Sequence, residues 1–303
     1  MWRFLNFLMG VCVTSFFCLS SYAIDNVDGV YQIATAQDWI DFTELVATDN
    51  TIDAEMTADI ELEPGINAQV GNYGGGLHYA GTFDGQGHTL TVHYDLTTAY
   101  TAPFHSVSGT VKNLMVAGTM NGTNSFLCGV VGVLMNGYVY NCVSAAHMTG
   151  TKSGDSGHGG IVGAVRGSGA VINSAFVGTI DAPNATNCGG IVGWTVDKHS
   201  TLIKNCYIIG TMNVGANNSF TIARNPNCIH ISNVYYLNEV GNLNNQGEVK
   251  LNADQAASGE LCYMLNLPHD DTQWYQQLGV DAYPVPFKKE GARVYAKADV
   301  NCS

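Results

Sequence analysis

Cysteine and histidine side chains that could bind a metal recur at a fixed spacing in the middle of this sequence. Cys128, His158 and Cys188 follow one another at steps of 30 residues, each directly before a glycine element. Thiolate and imidazole are ligands that zinc prefers. If equivalent residues stack about 5 Å apart, the two cysteines lie about 10 Å apart, too far for one tetrahedral zinc ion or for a disulfide. We therefore expect neither a metal site nor a bound cofactor.

Carboxylates that could cleave carbohydrate form the second group of chemistry-bearing residues. That reaction needs paired acids, or a base beside a calcium-binding acidic cluster. The acids between residues 112 and 224 fall in different loops and are Asp155, Asp181 and Asp197. Acid and histidine side chains come together at two other places, which are Asp84 with His88, and His269 with Asp270 and Asp271 beside Trp274. The first pair fits a turn and the second group a solvated loop, so no catalytic residue is assigned.

The cysteines leave their pairing open. Seven of the nine follow residue 23, and these are Cys128, Cys142, Cys188, Cys206, Cys228, Cys262 and Cys302. An odd number cannot all pair within one chain. Cys142 and Cys206 occupy one repeat position two units apart, with Ser174 between them, and fit buried small side chains best.

Most of these side chains belong to repeats of about thirty residues, which would determine where they lie. A glycine element ends at Gly132, Gly163, Gly193 and Ala223, at steps of 31, 30 and 30. Asparagines that follow alternating apolar stretches recur at steps of 28, 32, 32 and 28, and these are Asn113, Asn141, Asn173, Asn205 and Asn233. A fixed period predicts stacked units that bury a common core. The asparagines favour a ladder of hydrogen-bonded amides, with simple turn formation as the alternative. The glycines are expected to permit positive φ at a corner and to allow close backbone approach.

The repeats resemble the GLUG motif of bacterial surface and secreted proteins. The likeness covers about residues 104–237, with Gly159–Val165 and Gly189–Val196 as the best copies. Upstream, Gly81–Leu90 resembles the opening coil of right-handed parallel β-helix proteins, pectate-lyase-like ones included. Residues 258–266 and 274–286 are similar to a module that often follows such repeats. The resemblance implies an all-β fold, a right-handed parallel β-helix (solenoid), and carries over no catalytic residue.

Caps are expected at both ends, because a solenoid exposes open strand edges there. From Thr35 to Ala47 the apolar residues follow helical spacing, and Thr35 with Asp38 forms a candidate capping pair. Ala253–Leu265 predicts a second short helix, after which Tyr283–Pro286 is expected to extend along the surface. We divide the chain into a signal peptide (1–23), an N-terminal cap and first coil (24–80), the repeats (81–241) and a small C-terminal cap (242–303).

The start of the chain has the three parts of a secretory signal. These are a charge at Arg3, an apolar run from Phe4 to Cys18 and the small-residue end Ser21-Tyr22-Ala23. A short membrane anchor is the alternative, but the run is short and no stop-transfer charges follow. We therefore expect a secreted or outer-surface protein with no transmembrane segment after cleavage. A net charge of −13 argues against nucleic acid as a partner.

These features predict an exported protein that adheres to, or binds, a host or environmental glycan or surface protein. The predicted binding residues are tyrosines that could stack on sugar rings, namely Tyr138, Tyr140, Tyr207, Tyr235 and Tyr236. A polysaccharide lyase or glycoside hydrolase that acts on acidic polysaccharides is the alternative function.

Overall fold

A computed structural model describes residues 24–196, 199–267 and 273–288. Most regular structure in these residues is β-strand, and the α-helices among them are short. In chain order the elements are β1 (Asn26–Val27), β2 (Val30–Ile33), α1 (Ala36–Thr48), β3 (Asp53–Met56), β4 (Ile60–Glu61), β5 (Thr82–Asp84), β6 (Thr89–Leu96), β7 (Phe104–Val107), β8 (Thr110–Lys112), β9 (Met115–Gly122), β10 (Val131–Leu134), β11 (Tyr138–Tyr140), β12 (Val143–Ser144), β13 (His147–Gly150), β14 (Gly154–Asp155), β15 (Val162–Val165), β16 (Gly169–Ile172), β17 (Ala175–Phe176), β18 (Thr179–Ala182), β19 (Ala185–Thr186), β20 (Val192–Thr195), β21 (Thr201–Ile208), β22 (Thr211–Val214), a 3-10 helix (Pro226–Cys228), β23 (Ile229–Tyr236), β24 (Val249–Lys250) and α2 (Glu260–Leu265).

The strands form a parallel β-solenoid of about six turns. The first face contains β3, β5, β8, β11, β16 and the first halves of β21 and β23. The second face contains β4, β6 and β9, then β12 followed by β13 in one coil, β17 followed by β18 in the next, and β22 after them. The third face contains β7, β10, β15 and β20. The predicted all-β parallel solenoid, with three short strands in each unit, is therefore confirmed.

Equivalent residues of successive units lie beside one another, as the repeat spacing predicts. Val111, Val139, Val171, Ile203 and Ile231 are paired in turn along the first face, and all five side chains are buried. Each column of this kind adds its apolar side chains to one continuous core that runs the length of the solenoid. Because no single coil could enclose such a core, the coils stabilise one another.

The repeated asparagines form the corner between the first and second faces. All five have positive φ, between 49° and 54°, a conformation that asparagine tolerates better than most residues. Asn141 Nδ2 donates to Asn113 Oδ1 at 2.9 Å, Asn113 Nδ2 donates to Asp84 Oδ1 at 2.9 Å, and Asn233 Nδ2 donates to Asn205 Oδ1. Buried Asn141 Oδ1 has no hydrogen-bond partner among the described residues. The asparagines thus serve as turn residues, and the amide ladder joins Asn113 to Asn141 and Asn205 to Asn233 but does not include Asn173.

The motif glycines allow close approach rather than positive φ, which corrects one of their two expected uses. Gly129, Gly160 and Gly190 are absent from the positive-φ residues. A Cβ on Gly129 would lie 2.1 Å from the Gly160 carbonyl oxygen, and one on Gly160 would lie 2.2 Å from that of Gly190. Such distances leave no room for a side chain at these positions. The glycines therefore bring successive coils close together just before the strands of the third face.

The N-terminal end is closed by α1, which connects the parallel strands β2 and β3. Thr35 is its N-cap and forms a capping box with Asp38, as the sequence predicts. Trp39 and Phe42 are fully buried from this helix. The Trp39 ring packs edge-on against Phe83 and Phe104, with centroids 5.7 and 5.6 Å away. The helix therefore seals the interior of the first coils with aromatic side chains.

The C-terminal end is closed by side-chain amides. Asn244 Oδ1 accepts from the Ala223 N–H at 3.2 Å, and its Nδ2 donates to the Ala223 carbonyl at 2.7 Å. The Gln246 amide likewise bonds the Ile231 N–H at 3.0 Å and the Ile229 carbonyl at 2.8 Å. Each amide replaces the peptide group that a further coil would supply, so part of the last strand edge is satisfied.

The rest of the C-terminal segment packs along the second face. A column of outward-facing residues from successive coils, including Val143, Ala175, Tyr207 and Tyr235, is buried against α2, Trp274 and Val285. The Tyr207 hydroxyl donates to the Pro284 carbonyl at 2.6 Å.

The predicted helix Ala253–Leu265 was too long, since only Glu260–Leu265 is helical. Asn252 Oδ1 accepts from the N–H groups of Asp254 and Gln255, which forms a turn. Gly259, with a φ of 88°, precedes the helix.

No helix among residues 24–196, 199–267 and 273–288 is long and apolar enough to cross a membrane. The predicted signal peptide lies outside the described residues.

Candidate functional site

Cys128, His158 and Cys188 are buried beside the third face. Isolated parallel bridges pair Cys128 with Gly159 and Gly159 with Gly189, so Cys128 is one residue out of register with His158 and Cys188, which corrects the expected stacking of these three residues. The Leu127 N–H donates to His158 Nδ1 at 3.0 Å, so the proton of the neutral ring is on Nε2, which is buried and has no hydrogen-bond partner among the described residues. Burial lowers the pKa of His158 to about 4. The described residues contain no group of three acids, histidines or cysteines arranged to hold a metal ion.

Four cysteines of the repeats carry buried free thiols, and these are Cys128, Cys142, Cys188 and Cys206. Cys262 is also buried, Cys228 is partly exposed, and Cys302 lies outside the described residues. Burial raises the pKa of Cys142, Cys188 and Cys206 to about 12. A buried, protonated thiol is a poor nucleophile and a poor metal ligand, so these side chains fill space.

The acids singled out in the sequence are separated in the structure. Asp84 forms an ion pair with Lys112 at 3.0 Å and accepts from the Gln86 N–H at 2.9 Å, which is the role of a turn residue. His88 lies against Asp59 instead, at 3.2 Å. Asp181 accepts from Asn213 Nδ2 at 2.7 Å on the second face. Four other residues singled out in the sequence lie outside the described part of the chain, and these are Asp197, His269, Asp270 and Asp271.

Three of the five predicted binding tyrosines are buried, which corrects that expectation for them. Tyr207 is fully buried, and Tyr235 and Tyr236 expose 7% and 4% of their surface. Tyr207 and Tyr235 point outward, but the C-terminal segment covers them. Tyr138 remains 46% exposed and stacks on Tyr140, with ring centroids 5.7 Å apart.

The described arginines meet in a cleft of about 450 Å³ on the third-face side of the solenoid. Its lining residues are Ser125, Phe126, Asp155, Arg166, Trp194 and Arg224. Trp194 lies on β20, Arg166 directly follows β15, and Asp155 lies on β14. The backbone N–H groups of both arginines donate into the sheet, to Leu134 and Val192. The solenoid therefore fixes where each arginine side chain begins.

Aromatic rings hold the Arg166 side chain in the cleft. Its guanidinium carbon lies 5.0 Å from the centre of the Tyr73 ring and 4.8 Å from that of Trp194, both within cation–π distance. Nη2 donates to the Tyr100 hydroxyl at 3.2 Å. Tyr100 in turn stacks on Phe126, with ring centroids 4.6 Å apart and planes at 11°. No carboxylate of the described residues lies within ion-pair distance of Arg166, so its charge is balanced by rings and a hydroxyl alone.

Arg224 is paired with the one carboxylate that lines the cleft. Its Nη1 donates to Asp155 Oδ1 at 2.9 Å and, more weakly, to the Asn187 carbonyl at 3.4 Å. The Arg224 side chain is 17% exposed, whereas that of Asp155 is 66% exposed. The arginine is therefore held in place by the protein, and its partner extends into solvent from the short strand β14.

This cleft was not predicted from the sequence, although a signal was present. Arg166 and Arg224 are the arginines of the repeats, and each comes just after a glycine element or its faded copy. Repeat position alone does not show that both side chains reach one cleft. Asp155 was expected in a loop, and the structure places it on the two-residue strand β14.

Comparisons with known proteins show the fold and no family. No family model matches the sequence, and no curated protein matches it. A crystal structure of a protein from Bacteroides ovatus, described as a candidate immunoglobulin A1 protease, is similar with a TM-score of 0.59 and 16% identity. The similarity covers 86% of this chain and 93% of that one. At this identity it shows the fold alone.

Proposed function

We propose that the protein is exported and that it binds a carbohydrate in the arginine-lined cleft without cleaving it. The observation that carries this proposal is the combination of aromatic rings and guanidinium groups in one concave site. Ring faces pack against the apolar face of a sugar, and arginine donors bond its oxygens. Export is supported by the signal-like start of the chain and by the likeness of the repeats to GLUG motifs.

A binding role is supported over cleavage by the number of acids in the cleft. Glycoside hydrolysis uses two carboxyl groups about 5 to 10 Å apart across the scissile bond. Among the residues that line the cleft, Asp155 is the single carboxylate, and it is paired with Arg224. The cleft therefore has no second carboxyl group among its lining residues to complete such a pair.

Trp194 provides a direct readout for the proposal. Of the three described tryptophans, Trp39 and Trp274 are fully buried, whereas Trp194 lines the cleft. Glycans that bind on an array are titrated against the protein while its fluorescence is followed. Binding in the cleft is expected to change the Trp194 emission, and Trp194→Ala should weaken affinity about tenfold through the lost ring contact.

Tyr138→Ala is the matched control, since it removes an exposed ring from the first face. Affinity that falls with Tyr138→Ala but not with Trp194→Ala would contradict binding in the cleft, and an array without bound glycan would contradict carbohydrate binding.

Export is tested by recovering the protein from culture medium, where mass spectrometry should find it beginning at Ile24. An uncut protein retained in the cells would contradict export.

A further inference from the structure

Resting on the proposed function, we propose that the sugar bound in the cleft carries a carboxylate, as uronic and sialic acids do. In the complex, this carboxylate replaces Asp155 as the ion-pair partner of Arg224. The proposal follows from the charges in the cleft and from the unequal exposure of the two partners.

The charge balance of the cleft differs from that of the whole chain. The chain has a net charge of −13, so most of its surface repels an acidic ligand. Within the cleft, two guanidinium groups face one carboxylate. Arg166 is not paired with any carboxylate of the described residues, and its neighbours are the Tyr73 and Trp194 rings and the Tyr100 hydroxyl. One positive charge is therefore available to a ligand.

Arg224 has donors free for such a ligand. Its side-chain hydrogen bonds to the described residues both come from Nη1, and they go to Asp155 Oδ1 and to the Asn187 carbonyl. A guanidinium carries five N–H donors in a planar fork that matches a carboxylate. Since Asp155 is 66% exposed, its ion pair is open to solvent and adds little stability. A ligand carboxylate can therefore replace it while Arg224 stays in position.

The aromatic rings beside the arginines favour a pyranose over a small organic acid as the ligand. Phe126 and Trp194 line the same cleft as Arg224, and a volume of about 450 Å³ holds one or two sugar units. A pyranose with a carboxylate presents an apolar face and an anionic edge together. The cleft has a matching surface for each.

The test compares carboxylated with neutral sugars. Trigalacturonate and 3′-sialyllactose are titrated against the full chain by calorimetry, with the methyl ester of trigalacturonate and lactose as neutral counterparts. At least one acid should bind about tenfold more tightly than its neutral counterpart, as expected when a charge-assisted bond is lost. The two acids separate a uronic-acid from a sialic-acid specificity.

Asp155→Asn provides the sharpest variant, because it removes the competing anion. It should raise the affinity for the carboxylated sugar several-fold and leave the neutral sugar unchanged, whereas a purely structural role for Asp155 predicts a loss. Arg224→Gln should abolish the preference for the acid. Asp181→Asn, which removes a carboxylate bonded to Asn213 elsewhere, is the matched control and should change nothing.

Three results would overturn the inference. Equal affinity for acid and neutral sugar, with Trp194→Ala still weakening both, would refute the carboxylate and leave carbohydrate binding intact. A lower affinity for the acid in a folded Asp155→Asn variant would refute the exchange at Arg224. Failure of every glycan to bind would refute the proposed function itself, and with it this inference.

Discussion

The two ends of the solenoid are closed in chemically different ways. At the N-terminal end, α1 places Trp39 and Phe42 over the open interior, against Phe83 and Phe104. At the C-terminal end, the side-chain amides of Asn244 and Gln246 bond to the backbone of the last coil. The first solution excludes water from apolar surface, and the second satisfies hydrogen-bonding groups of a strand edge. A solenoid has both needs at each end, and the difference predicts different energetic costs when each closure is removed.

Trp39→Ala is expected to have the largest effect. It removes a fully buried ring and its hydrogen bond to the Ala68 carbonyl, so the free energy of unfolding should fall by about 3–5 kcal/mol. Urea unfolding followed by circular dichroism measures the change. Trp39→Phe, which keeps an aromatic ring, should lose clearly less. A loss below about 1 kcal/mol for the alanine variant would show that the helix does not close the core.

His158 tests the middle of the solenoid, away from both closures. Its folded-state pKa of about 4 lies below the ordinary value of 6.5, so between these pH values the unfolded state binds a proton that the folded state does not. Stability should therefore fall as the pH drops from 6.5 to 4 and then level off, by at most about 3 kcal/mol from this residue. The measurement is the free energy of unfolding across this range.

His158→Asn is the comparison variant, because its side-chain oxygen can still accept from the Leu127 N–H. The difference between the two pH profiles isolates the histidine from the many carboxylates. Parallel profiles from pH 6.5 to 4 would mean that His158 is already protonated, or reachable by solvent, in the folded protein.

The parts of the fold that a fixed period controls were predictable from the sequence. A residue about thirty positions along the chain takes the same place one coil later, so the alignment of the asparagines from coil to coil followed from spacing alone, whereas their turn conformation was only the alternative interpretation. The capping box of α1 was readable because Thr35 and Asp38 interact locally. The cleft was not readable, because Arg166 meets Tyr73, a residue that lies before the repeats. The burial of Tyr207 was missed for a similar reason, since its cover comes from Pro284 and its neighbours, which follow the repeats.

Asn244→Ala should lower the free energy of unfolding less than Trp39→Ala or the protonation of His158. This difference would support the contrast between the two ends. It leaves the Ala223 N–H and carbonyl without their amide partner, at a cost of about 1–3 kcal/mol. The same change exposes part of a strand edge, so light scattering should show concentration-dependent self-association. Asn238→Ala, an exposed residue of the same end with bonds of 3.3 and 3.4 Å, should be nearly neutral. If Asn244→Ala destabilised the protein as much as Trp39→Ala without any association, the C-terminal amides would be supporting the core, and the distinction between the two ends would fail.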